Sequence, residues 1–467
     1  MHRGCLWLSL WMVLAGTAAG RAETFDVRRF GARGDKESLD TAAIQAAVDA
    51  CLKAGGGTVL VPPGDYRCGT IRLGSHLRFQ VEAGATVWSS TQKDDYRGDR
   101  CLLLAREAEG LTICGPGTLR GLGEGPLGRL ADKSDAKMPA FRPGILRLEN
   151  CRDVVVRDLR VLYSDTWTLH FRFCENVLIE GVEIDNEYLH VNSDGIDPVS
   201  CRNVRIANCR IVAGDDCIVC KTAEGKPCEH IAVSNCTLES IGTAVKLGTE
   251  SSGDFRDIRF SGCSVRNSGV GIGLYMKDGG TMERIAFSDM DLEVFSPRGL
   301  TNVEKSLFPI FIDIERRHKD SKAGKIRDVT FANIRISSGL GALIQGMPES
   351  PIENLSLCNI HFRATSPVDQ SERRKRVGGR RTMRDERDTL YSQLPAWLAV
   401  AHVNRLVVDQ LSVCVAPEEF ARFPRSVLYG AKLEDVQVKN ISRQPAEAEG
   451  TPPVVVFQDC LRTRLAE

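Results

Sequence analysis

Apolar side chains recur in this chain about once per 27 residues, in columns strict enough to count. Segments beginning at Cys151, Cys174, Cys201, Cys228, Phe255 and Met282 start 23, 27, 27, 27 and 27 residues apart. Three places into each segment stand Val154, Val177, Val204, Ile231, Ile258 and Ile285. Five places in stand Val156, Ile179, Ile206, Val233, Phe260 and Phe287, and ten places in Val161, Ile184, Ile211, Leu238, Val265 and Leu292. The pattern returns at Ile326, Ile352, Val403 and Leu433. Inside each segment the alternation of β-branched and polar residues is that of a strand. Self-similarity at this period is the mark of a solenoid, whose units bury their apolar faces only against one another. A coil this short, with parallel neighbours about 4.8 Å away, predicts an all-β chain folded as a right-handed parallel β-helix. A leucine-rich horseshoe would need a helix-like half in every repeat, and that periodicity is missing.

The exceptions to the repeat define the organisation. Leu39 to Ala54 reads as an amphipathic helix, with Asp40 or Thr41 as N-cap and Gly55-Gly56-Gly57 as its stop. It is placed to cap the open end of the solenoid, ahead of strands around Thr58–Pro62 and His76–Val81. The spacing stretches near 293–325 and 363–402, which predicts insertions. The second carries the charged run Glu372-Arg373-Arg374-Lys375-Arg376, read as a solvated loop. Residues 1–22 have the character of a secretory signal: His2 and Arg3, an apolar stretch from Cys5 to Ala15, then small residues to Ala22. The remainder, 23–467, is expected to be one elongated domain, exported to a secreted or periplasmic location, with no membrane span and acting as a monomer.

Composition changes this picture little. The 61 basic and 61 acidic side chains balance, which argues against nucleic acid as the main partner. Of 17 cysteines, several fall in columns, Cys151, Cys174, Cys201 and Cys228 in one, Cys209, Cys236 and Cys263 in another. Stacked strands would bring such neighbours within disulfide reach, but cysteine also serves as a small buried apolar residue, and buried thiols are the expectation here. Cys217 and Cys220 have no matching pair, so no zinc site is expected.

The candidate chemistry is acidic. Asn192-Ser193-Asp194-Gly195-Ile196-Asp197 and Gly214-Asp215-Asp216 interrupt the ladder, and Asp194 stands 21 and 22 residues before the paired acids, close to one coil. They should lie one step apart on one face. Hydrolysis of a glycosidic bond with inversion uses a protonated carboxyl and a carboxylate about 6.5–9.5 Å apart, and adjacent acids raise each other's pKa. An isolated Asp in such a turn would more simply cap backbone groups; two clusters at this spacing point to catalysis.

These residues carry a resemblance. His190-Val191-Asn192-Ser193-Asp194-Gly195-Ile196-Asp197-Pro198 followed by Gly214-Asp215-Asp216-Cys217-Ile218 resembles glycoside hydrolase family 28, the polygalacturonases and their relatives. Phe25-Asp26-Val27 to Phe30-Gly31-Ala32 and Val61-Pro62-Pro63-Gly64-Asp65-Tyr66 do so too, and the likeness runs from about Thr24 to Ile336. It implies a pectate-lyase-like β-helix and an inverting hydrolase of pectic, galacturonate-containing polysaccharide that needs no cofactor or metal. Asp215 would be the general acid, Asp194 and Asp216 would activate water, and Asn192 and Asp197 would support the site and its substrate. The chain departs from the family where a Gly-His-Gly is usual, reading Gly242-Thr243-Ala244, and where an Arg-Ile-Lys is usual, reading Tyr275-Met276-Lys277. Lys246 and Lys277 are then candidates to hold a uronate carboxylate, and Tyr275 to stack on a sugar. Trp167 is expected to pack, and His170 and His190 are given no role. The rival readings are a calcium-dependent lyase on the same fold and a non-catalytic glycan-binding relative.

Overall fold

The computed structural model describes residues 23–125, 127, 139–295, 308–318, 320–365, 390, 394–422, 424–444 and 451–466. The segment read as a secretory signal and the charged run at 372–376 lie outside them. The chain winds as a right-handed parallel β-helix, and every strand pairing recorded along it is parallel. One coil holds Leu169–Arg172, Glu175–Glu180 and Glu183–Asp185. The next holds Ile196–Val199, Arg202–Ala207 and Arg210–Ala213, stacked strand on strand.

The counted columns are the stacked core. Val154, Val177, Val204, Ile231, Ile258 and Ile285 pair in register and continue through Val329, Leu355, Leu406 and Val436. All are buried. In the neighbouring column Phe260, Phe287 and Phe331 stack face on face at 5.5 and 5.0 Å, each contact adding about 0.5–1.5 kcal/mol beyond its buried area.

The corners between strands rest on a second periodic signal. Asp153, Asn176 and Asn203 each adopt left-handed backbone, φ +55°, +55° and +54°. Asn176 donates to Asp153 at 2.8 Å and Asn203 donates to Asn176 at 3.0 Å. Asn and Asp tolerate this conformation because their short polar side chains bond locally. Each corner therefore repeats with its hydrogen-bond partner already in place.

The capping helix runs Thr41–Lys53, shorter at both ends than the predicted span. Leu39 instead ends the strand Asp35–Leu39 and is exposed. Asp40 precedes the helix, but its carboxylate accepts from the backbone N–H groups of Arg33 (2.7 Å) and Gly34 (3.0 Å) rather than from the helix. The helix buries Ile44, Ala47, Val48 and Cys51 over the first rung. Within the stretch read as an insertion near 293–325, Phe308–Ile314 forms a true rung, pairing with Val270–Met276. The described cysteines are all free thiols, as expected, and most are buried.

Candidate active site

Three successive rungs build the site. Asp194 ends the loop leading into Ile196–Val199, and Asp215 and Asp216 occupy the bend leading into Ile218–Thr222. Backbone hydrogen bonds stack these bends directly: Thr168 N–H donates to Asp194 O (2.9 Å), Gly195 N–H to Asp216 O (2.9 Å) and Cys217 N–H to Thr243 O (3.0 Å). The expected spacing of one step is thus observed. Gly214 is needed for it, since a Cβ there would stand 2.1 Å from His190 O.

The Asp194 loop is held from beneath by side chains. Asn186 accepts from Ser164 N–H (2.8 Å) and donates to Thr168 Oγ1 (2.8 Å) and Ser193 O (3.1 Å). Ser193 Oγ donates to His190 O (2.8 Å) and accepts from Gly214 N–H (3.1 Å), tying the two acidic bends together.

Two lysines organise the carboxylates. Lys221 Nζ lies 2.9 Å from Asp194 Oδ2, also bonds Asp197 Oδ1, and sits 3.6 Å above the Trp167 ring. Lys246 Nζ lies 2.6 Å from Asp216 Oδ2, while Asp216 Oδ1 accepts from Thr243 N–H at 3.2 Å. Thr243 is therefore next to Asp216 as its spacing requires, but it contributes its backbone, and the charge comes from Lys246. Burial pushes Asp194 up to about 6 against the pull of Lys221, and the charges of Asp215 and Asp216 push the same way. The three acids share one electrostatic field. Both lysines lose hydration, yet the adjacent carboxylates more than compensate and raise their pKa values, so both stay charged. Asp215 is the least buried of the acids, and its backbone carbonyl is fixed by Ser240 Oγ.

Other candidates fall elsewhere than predicted. Asp197 is fully buried beneath Lys221 and binds its ammonium through Oδ1. Asn192 is in left-handed backbone, φ +60°, and accepts from Arg142 Nη1 at 3.1 Å. Lys246 and Lys277, read as holders of a uronate, are paired with Asp216 and Glu315. Tyr275 packs against Phe311 with ring centroids 5.2 Å apart and lies between the two lysines, 5.3 and 6.0 Å from their ammonium nitrogens.

Lys221, Arg142, Asn186 and Glu315 were not singled out from sequence. For Lys221 a signal existed: a lysine within the otherwise apolar run Cys217-Ile218-Val219-Cys220. His190, given no role, lies between two acceptors, Asp165 Oδ1 (2.8 Å) and Gly125 O (2.7 Å). Burial is the largest single influence and lowers its pKa, but the hydrogen bonds to Asp165 and Gly125 and the charge of Asp165 together leave it raised. Arg142 joins the same cluster, 3.3 Å from Asp165. His170 is driven down to about 3 by burial and is neutral.

Among the described residues no group of three His, Cys, Asp or Glu side chains is arranged to hold a metal ion, and no helix is long and apolar enough to cross a membrane. A shallow groove of about 1050 Å³ on another face, lined by residues such as Arg259, Thr330 and Gln437, contains none of the acidic cluster.

The sequence match is specific: residues 51–374 fit the model of Glycosyl hydrolases family 28, and the chain belongs to that family. An exopolygalacturonase of Platanus acerifolia is 30% identical over 201 residues, 42% of this chain and 52% of that one. A polygalacturonase of Malus domestica is 25% identical over 210 residues, 43% of this chain and 45% of that one. The chain thus spans about half the length of the curated relatives it matches. The crystal structure of an exopolygalacturonase from Thermotoga maritima superposes with a TM-score of 0.63 at 23% identity, covering 74% of this chain and 88% of that one, a likeness of fold.

Proposed function

We propose that the protein hydrolyses glycosidic bonds of a pectin-like polysaccharide by single displacement with inversion, and that it works after export. The observation that carries the reading is the cluster itself: Asp194, Asp215 and Asp216 on stacked bends, with Lys221 and Lys246 bound to the first and last. Lys221 opposes the upward push of burial on Asp194, and Lys246 binds Asp216 Oδ2, which places both acids to take a proton from attacking water. Asp215, the least buried of the three acids, protonates the leaving oxygen. Calcium-bridged elimination suits the site less well, because ammonium groups already sit on Asp194 Oδ2 and Asp216 Oδ2. Family membership and the relatives named as polygalacturonases support a pectic substrate. The apolar segment from Cys5 to Ala15 supports export.

The test is to incubate the protein and its Asp215→Asn variant with polygalacturonate and rhamnogalacturonan, following product mass and the first-formed anomer. Saturated, inverted products from the wild type, with at least about 10³-fold less from the variant, are expected. Unsaturated products would replace hydrolysis by elimination, and turnover by the variant would remove Asp215 from its role.

A further inference from the structure

The groove wall beyond the acids carries paired charges around Tyr275. This ring is half-buried, and Gly273 makes room for it, since a Cβ there would come within 2.4 Å of Tyr275 Cε2. The ammonium groups beside the ring are both taken up: Lys246 by Asp216 at 2.6 Å, and Lys277 by Glu315. The nearby guanidinium of Arg317 is fixed on Asp278 through two bonds, 2.6 and 2.8 Å. One further acid, Asp313, pairs in register with Tyr275 on the adjoining strand, buried and accepting from Gln345 Nε2 at 3.1 Å.

A sugar laid on the Tyr275 face meets an apolar ring whose two neighbouring ammonium groups are already paired. A free carboxylate placed there would compete with Glu315 for Lys277 and with Asp216 for Lys246. Displacing a paired, poorly hydrated carboxylate leaves it uncompensated, which is costly. An uncharged ring meets no such cost and gains stacking on the aromatic face.

We propose that the subsite at Tyr275 selects an uncharged sugar residue, neutral or esterified, and that Glu315 sets this preference by neutralising Lys277. The inference rests on the hydrolase reading of the acidic cluster and narrows its substrate.

The experiment uses galacturonate oligomers in free-acid and methyl-ester forms, which differ in charge at every ring. Wild type and Glu315→Gln are compared for kcat/KM on each. The same oligomers are titrated onto Asp215→Asn, with and without Glu315→Gln, to read binding without turnover. Glutamine keeps the shape of the side chain, and a matched melting temperature confirms that the fold is intact. The wild type should favour the ester about tenfold or more, and Glu315→Gln should cut that ratio about tenfold by tightening KM and Kd for the acid. A wild type that prefers the free acid, a ratio unmoved by Glu315→Gln, or no binding of either form overturns the proposal. Binding with the expected preference but without turnover by the wild type would instead overturn hydrolysis and leave the charge preference standing.

Discussion

Lys221 holds Asp194 across a 2.9 Å contact in which each side chain is only 4% exposed. Such a pair is costly to form and far more costly to break, because the surviving charge stays buried. Here the cost is divided, since the same ammonium also serves Asp197 and rests on Trp167.

Replacing Lys221 by Met should therefore destabilise the protein by about 3–5 kcal/mol, leaving two buried carboxylates without their cation. Adding Asp197→Asn should recover part of that loss. Thermal unfolding of the two single variants and the double variant measures the coupling, and strictly additive losses would show that Lys221 and Asp197 do not act as a unit.

Asp194 titrates near 6 and must be ionised to accept a proton from water. Activity should fall as pH drops through about 6, a higher limb than an ordinary carboxylate would produce. The stability effect has the opposite sense. Between the ordinary carboxylate range and about 6 the folded protein holds the Asp194 proton and the unfolded chain does not, so this group's contribution declines as pH rises across that window. Melting temperature and rate measured over pH 4–8 (on the order of the window set by these values) should move in opposite directions on account of this one group.

Asn186 makes three hydrogen bonds beneath the Asp194 loop while almost wholly buried. Asn186→Ala should cost about 2–4 kcal/mol and loosen the loop that carries Ser193 and Asp194. Hydrogen exchange at residues 186–195 should rise well above that of the flanking strands. Unchanged protection would show the loop is held by its backbone alone.

Cys414 is the exposed thiol among the described cysteines, with Cys358 and Cys460 partly covered. Burial raises the Cys217 thiol well above its usual pKa and suppresses its reactive thiolate. A thiol reagent should modify Cys414 first in the native protein, and the buried columns only on unfolding. Mass mapping of the modified peptides checks the order.

The apolar ladder could be read because its columns depend on spacing alone, and spacing survives folding. The acids could be read for a related reason: Asn192 to Asp197 and Gly214 to Asp216 are short local runs. What pairs with them could not be counted. Val199 pairs with Lys221, 22 residues on, whereas Val204 pairs with Ile231, 27 on. The bends absorb the difference, so the side chain facing a given acid cannot be found by adding a fixed number. Glu315 is harder still, lying beyond a stretch where the interval from Ile272 to its partner Ile310 lengthens to 38 residues. Spacing alone does not show that Lys246 meets Asp216 or that Lys277 meets Glu315. The left-handed corners leave a signal of their own, since Asp153, Asn176 and Asn203 recur with the same spacing as the apolar columns.

Those corners make one coil geometrically equivalent to the next. A complete extra coil spliced between the bends of Asp194 and Asp216 would find every corner partner and core neighbour it needed. The solenoid would lengthen by about 4.8 Å and remain whole. Asp194 would then stand a rung farther from Asp215 and Asp216, and out of reach of the Lys221 ammonium that holds it. Folding in this molecule is indifferent to how many coils there are; chemistry depends on which two are adjacent.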